Sequence, residues 1–127
     1  MIAERSVGGL PHPLPDALVE LIARRFRVIG EPVRVKLLDR LRDGEATVHE
    51  LTDATQASQQ NVSKHLGVLY DAGIVSRRKA GNQVYYRVVD EGVFRLCESV
   101  CGSVERQVLV LRWWLGAQLK RLRRATD

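Results

Sequence analysis

The chain has 127 residues, a formal net charge of +5 and 45% hydrophobic residues. That is the length of one domain with enough apolar side chain for a core, and it holds no run of about 18 apolar residues that would cross a membrane. The opening MIAERSVGGLPHPLP lacks the basic-then-apolar layout of a secretory signal, so a cytoplasmic protein with no membrane partner is expected.

Residues 1–13 are rich in Gly and Pro and are expected to form a flexible tail, with 14–127 as a single domain. A first helix should open at Pro15 and Asp16. Leu18, Leu21, Ile22 and Phe26 then recur at helical spacing, and Gly30 ends the run. Pro32 suits the first turn of a second helix, whose apolar side is Val33, Val35, Leu37, Leu38 and Leu41. A short third helix follows Ala46, with Thr47 as N-cap and Glu50 three residues on, the pattern of a capping box. Thr55-Gln-Ala is a turn, and Ser58 can cap a fourth helix whose buried stripe is Val62, Leu66 and Leu69. Gly73 fits a left-handed C-terminal cap. Residues 74–79 and 83–89 alternate as two strands around Ala80-Gly81-Asn82. From about Glu91 to Arg124 helical spacing returns in one long apolar seam, which Gly102 is placed to kink or split. The fold class expected is mostly α with a small β-hairpin.

The order of these elements carries the functional reading. Two short helices joined by a polar turn, with a basic hairpin directly after, can set one helix in a DNA major groove and a wing on the adjacent backbone. The charge agrees: residues 56–90 hold five basic against two acidic residues, and residues 104–127 six against two. With the apolar stripe committed to the core, the fourth helix offers Ser58, Gln59, Gln60, Asn61, Ser63, Lys64 and His65. Amide and hydroxyl tips can pair with base edges, and Lys64 suits a phosphate or a guanine. A helix built for solvation alone would more often carry Glu/Lys pairs. His65 has two readings, a DNA contact or a partly buried residue bonded to its surroundings. On the hairpin, Arg77, Arg78, Lys79, Asn82 and Gln83, with Arg87 behind them, are positioned for phosphates or the minor groove. Charges that guard an edge strand are the alternative. Tyr85 and Tyr86 should face opposite sides of the hairpin, one of them under the sheet.

At these residues the chain resembles a known family. VRVKLLDRLRDGEATVHEL, followed by SQQNVSKHLGVLYDAGIVSRRKAGNQVYY, is similar to the ArsR/SmtB family of bacterial repressors over roughly residues 17–105. The Ser-Lys-His-Leu step at 63–66, the Leu-Tyr-Asp-Ala-Gly-Ile-Val step at 69–75 and the Arg-x-x-Gly-x-x-x-Tyr-Tyr hairpin carry the likeness. The resemblance implies a winged helix-turn-helix homodimer that binds a double-stranded operator. It also implies an interface built by the first and last helices and repression relieved by an inducer. On that reading Leu18, Leu21, Val104, Val108, Leu111, Leu115 and Leu119 face the partner.

Two metal patterns of the family are missing from the sequence. The third helix reads VHELTDAT, with His49 but no cysteine, and no histidine follows in residues 91–127. Cys97 and Cys101 are the only cysteines. Four residues apart on a helix, they share a face. Three readings stay open for them: a site for a soft metal or metalloid ion such as arsenite, Cd or Cu(I), a redox pair, or plain packing on the apolar seam. Two ligands per chain do not close a tetrahedral site, so a metal would need a further ligand from the partner. Any cofactor is therefore unknown. A ligand-independent DNA-binding protein is the alternative function. An enzyme is not expected, because a dithiol reductase would want a Cys-x-x-Cys motif and a βαβ setting. His12 in the Pro-rich segment reads as solvated, with a supplementary ligand as the lesser option.

Overall fold

A computed structural model describes residues 5–7 and 9–126. In chain order the elements are β1 (Arg5–Val7), β2 (Leu10–His12), α1 (Asp16–Ile29), α2 (Pro32–Leu41), β3 (Ala46–Thr47), α3 (Val48–Thr55), α4 (Gln59–Asp71), β4 (Val75–Ala80), β5 (Gln83–Val88) and α5 (Gly92–Thr126). Contacts divide the chain after Asp90 into two units, which are described in turn.

The first unit is a helical cluster closed on one side by a small sheet. Its centre is Leu37, Leu38, Leu51, Val62, Leu66, Leu69 and Ile74, each with at most 1% of its surface exposed. Full burial of one such side chain stabilises by about 1.5–3 kcal/mol. The stripe expected on the fourth helix is therefore the core face of α4. The sheet runs in the order β3-β5-β4, all antiparallel. Two residues, Gly81 and Asn82, join β4 to β5, and Gly81 takes the positive φ (+63°) that so tight a hairpin turn needs. Two strand pairings lay outside the sequence reading. Ala46 and Thr47 pair with Tyr86 and Tyr85 as a third strand, a segment too short to show alternation. Arg5–Val7 pairs antiparallel with Leu10–His12 inside the segment read as a tail.

Caps fix the ends of the α3–turn–α4 pair. Thr47 Oγ1 accepts from the Glu50 N–H while Glu50 Oε1 accepts from the Thr47 N–H, so the capping box forms as expected. The turn between α3 and α4 reverses at Gln56, which sits in the left-handed region at φ 58°. Ser58 Oγ accepts from the Asn61 N–H to start α4. At the other end Gly73 N–H donates to Tyr70 O and Ile74 N–H to Leu69 O, both at 3.0 Å. With Gly73 at φ +74°, this is a Schellman closure that turns the chain directly into β4.

The second unit is one unbroken helix. α5 runs 35 residues through Gly102, so the glycine does not split it into two helices. At about 1.5 Å per residue the helix spans roughly 50 Å.

Candidate nucleic-acid interface

Of the residues expected to read DNA from α4, Ser58, Gln59, Gln60, Ser63 and Lys64 are exposed, and Asn61 is half-buried. They form one polar surface at the start of the helix. His65 is not part of it. This corrects its inclusion among the base-reading residues: the imidazole is buried, with Nδ1 2.8 Å from Arg34 Nη1 and 3.6 Å from Glu31 Oε2. The physical reason is helical phase. His65 lies three residues after Val62 and four before Leu69, on the buried stripe.

The wing presents Arg77, Arg78, Lys79, Asn82 and Gln83 to solvent, with Arg87 on β5 also exposed. Two of these cations already have company within the fold. The Arg77 guanidinium lies 4.0 Å from the centre of the Tyr70 ring. Arg78 lies 4.5 Å from the centre of the Tyr85 ring and forms a forked pair with Glu45, its Nε–H donating to Oε2 at 3.0 Å and an Nη2–H to Oε1. That pair holds the Glu45 carboxyl below its ordinary 4.5, mainly through the hydrogen bond from Arg78. Arg77 is pushed up, first by its hydrogen bond with Tyr86. Of the two wing tyrosines, Tyr86 is buried under the sheet and Tyr85 is half-buried beneath Arg78, the division that alternation predicts.

The sequence reading missed Glu45, Tyr70 and Arg34. Glu45 comes 33 residues before Arg78 and meets it only because the two-residue strand β3 pairs with β5. Tyr70 is seven residues before Arg77, and no local pattern links them. Arg34 belongs to the first turn of α2, where Glu31 Oε2 caps its N–H at 3.0 Å. A charged residue in a first turn is an ordinary signal that says nothing of a histidine 31 residues away.

On α5 the expected interface residues Val104, Val108, Leu111, Leu115 and Leu119 are all exposed, at 46–59% of their surface, and Leu21 of α1 is 59% exposed while Leu18 is half-buried. Trp113 and Trp114 are both exposed as well, so neither is turned into a protomer core. Cys97 and Cys101 are thiols on the same helix, the first half-buried and the second exposed, with Cys101 Sγ 3.8 Å from Glu105 Oε1. Among the described residues no group of three or more His, Cys, Asp or Glu side chains is arranged to hold a metal ion. None of the described helices is long and apolar enough to cross a membrane.

Comparison with known proteins places this geometry. Residues 31–77, from the cap of α2 into the wing, match the model of the bacterial regulatory protein, arsR family. The chain is similar to the HTH-type transcriptional repressor SmtB of Mycobacterium tuberculosis, 36% identical over 80 residues, which covers 63% of this chain and 59% of that one. It is thus matched to little more than half the length of that relative. It is similar to a biofilm growth-associated repressor of Agrobacterium fabrum, 32% identical over 94 residues, 74% of this chain and 80% of that one. Among solved structures it is similar to a homodimeric winged helix-turn-helix DNA-binding domain of Mycobacterium bovis, Mb0332, described as a possible ArsR-family regulator. That likeness has a TM-score of 0.65 and 30% identity over 73% of this chain and 86% of that one. With a matched turn–helix–wing block, most of a 32% identical relative covered and a winged helix-turn-helix neighbour, the chain belongs to the ArsR family of bacterial regulatory proteins.

Proposed function

We propose that the protein is a homodimeric, sequence-specific DNA-binding repressor that reads its operator with α4 and grips the flanking backbone with the β4–β5 wing. One observation carries the reading. The exposed start of α4 is a continuous surface of hydroxyls, amides and one lysine, with no acidic residue in its first turn, and the cationic hairpin follows it after a tightly capped end. Gln60 and Gln59 suit adenine, Ser63 suits several bases, and Lys64 suits guanine or phosphate. Arg77, Lys79, Asn82 and Gln83 supply sequence-independent contacts, and Arg78 joins them only so far as a phosphate draws it from Glu45.

The homodimer reading rests on α1 and α5. Leu111, Leu115, Leu119, Val104 and Val108 recur every three or four residues on exposed helix, and a stripe of that length in water is costly unless a partner covers it. On α1, Leu18 and Leu21 are the positions that the family resemblance assigns to the partner. The similarity to a homodimeric winged helix-turn-helix domain supports this.

Release by an inducer sensed at Cys97 and Cys101 is the finer part of the proposal. The two thiols lie one helical turn apart, and the exposed one lies close to a carboxylate. A soft ion or an oxidised sulfur there would alter packing along α5 and so the spacing between the two recognition helices. A change of that spacing disfavours simultaneous contact with two half-sites. Ligand-independent binding is the second reading, and the half-buried state of Cys97 favours it, because a small apolar thiol also serves as packing.

Selection from a random DNA pool tests the function. The wild-type protein is expected to enrich one sequence and to hold it at least a thousandfold more tightly than a scrambled duplex, roughly the lower end for specific regulators. Equal affinity for both would refute sequence-specific regulation. Loss of binding to the enriched sequence with a thiol oxidant or a soft metal ion, absent in a Cys97→Ser, Cys101→Ser double variant, supports thiol sensing. Loss that persists in the double variant refutes it.

A further inference from the structure

The recognition helix is anchored to α1 by a half-buried polar latch that the proposed DNA contacts do not use. Arg34, on α2, spends its guanidinium on three acceptors. Nε–H donates to Val28 O, an Nη2–H to Arg27 O at 3.3 Å, and an Nη1–H to His65 Nδ1 at 2.8 Å. The first two acceptors are last-turn carbonyls of α1, which have no partner within their own helix. The third is the ring of a residue in the middle of α4. One rigid, planar, permanently charged group therefore ties the end of α1 to the recognition helix. Glu31 closes the cluster from the α2 cap, with Oε2 3.0 Å from the Arg34 N–H and 3.6 Å from His65 Nδ1. A second tie runs in parallel: Arg25 of α1 donates to Ala72 O, the cap carbonyl of α4, at 3.0 Å.

We infer that Arg34 and His65 are positioning residues for DNA readout, fixing how α4 is rolled and set against α1, on the premise that α4 reads bases as proposed above. The chemistry is specific. A guanidinium only donates hydrogen bonds, so Nδ1 must accept, and the imidazole carries its proton on Nε2. A hydrophobic residue of similar size at position 65 would fill the space and leave an N–H of Arg34 without its partner. The core stripe alone sets the depth of α4 through Val62, Leu66 and Leu69, but apolar packing tolerates small rotations more readily than a bonded guanidinium does. Rotation matters because the base-reading residues sit within two turns of His65, and a bidentate contact needs its two bonds placed to within a fraction of an ångström. α1 carries exposed Val19, Leu21 and Phe26 on its outer surface, so the latch also links the proposed partner-facing helix to the DNA-facing one.

The test uses the full chain, the duplex it enriches from a random pool, and a scrambled duplex of equal length. Arg34→Gln and His65→Leu are each expected to lower the ratio of the two affinities about tenfold, the equivalent of about 1.4 kcal/mol. His65→Asn should restore the ratio to within about threefold of wild type, because asparagine carries its amide oxygen where histidine carries Nδ1. A merely space-filling role would make leucine the better replacement. A ratio unchanged in His65→Leu, or as low in His65→Asn as in His65→Leu, overturns the proposal. Long-range 15N–1H spectra of the wild type judge the latch without DNA, and so also if Arg34→Gln does not fold. An Nε2-protonated ring with Nδ1 accepting is expected, and a protonated Nδ1 in the neutral ring overturns it. Failure of the wild type to enrich any sequence would instead refute the DNA-reading function, and the 15N result would still decide the latch.

Discussion

Neutralising Glu45 should strengthen DNA binding, although Glu45 is not expected to touch DNA. In the free protein Arg78 gives two N–H donors to the Glu45 carboxylate. A phosphate that recruits Arg78 has to displace that carboxylate. The Arg78 and Glu45 side chains are 56% and 35% exposed, so the pair is open to exchange with a competing anion rather than sealed. Glu45→Gln removes the competing charge and leaves Arg78 on the wing. Each additional phosphate neutralised steepens the plot of log affinity against log salt by about 0.9, so two wings in a dimer should add about 1.8. From 50 to 200 mM salt the logarithm changes by about 0.6, and the advantage of the variant should therefore shrink roughly tenfold over that range. Fluorescence anisotropy on a scrambled duplex, repeated across salt, reads the slope directly. The same substitution in an Arg78→Ala background separates the pair from simple loss of a negative charge. Weaker binding by Glu45→Gln, an unchanged slope, or a full gain without Arg78 would each refute the reasoning.

Other expectations follow from the same geometry. Gln60→Ala or Ser63→Ala should weaken binding to the enriched sequence by about 1–3 kcal/mol and leave scrambled DNA nearly unaffected; equal losses on both duplexes would remove these residues from base readout. Leu111→Asp should yield monomers or insoluble protein by light scattering, because it puts a charge in the apolar seam; an unchanged dimer would place the interface elsewhere. The carboxyls of Glu45 and Glu50 are held below their ordinary 4.5, the first mainly by Arg78 and the second by the Thr47 N–H. Their contribution is present above about pH 4.5 and lost as pH falls through the lowered folded values. Urea unfolding between pH 3 and 7 should therefore show a slope that Glu50→Gln reduces; an identical slope would mean the capping box does not couple to folding. Thr47→Ala should cost about 0.5–2 kcal/mol at neutral pH in the same assay.

The elements that sequence reasoning located were those whose signals are local. Thr47 with Glu50, Ser58 ahead of α4, Gly73 at its close and Gly81 at the wing tip each rest on chemistry within a few residues, and each appears where the spacing places it. The buried stripe of Val62, Leu66 and Leu69 was legible because helical phase is regular. His65 shares that phase, yet its polar ring left two readings open, and only the position of Arg34 decides between them. The same limit hid Glu45 from Arg78 and made the wing look more freely cationic than it is. β3 was invisible because two residues carry no periodicity, and its pairing with Tyr85 and Tyr86 is what brings Glu45 to the wing. Gly102 was overweighted as a breaker: a single glycine costs a helix about 1 kcal/mol, too little to interrupt 35 residues of otherwise helical sequence.

In the proposed complex two copies of α4 enter successive major grooves of one duplex. Hydroxyl-radical footprinting on the enriched sequence measures this most directly. Two protected half-sites are expected on one face of the DNA, centred about one helical turn or a small multiple of it apart and related by a dyad, with flanking protection from the wings. A single asymmetric patch, or protection spread evenly along the duplex, would contradict it.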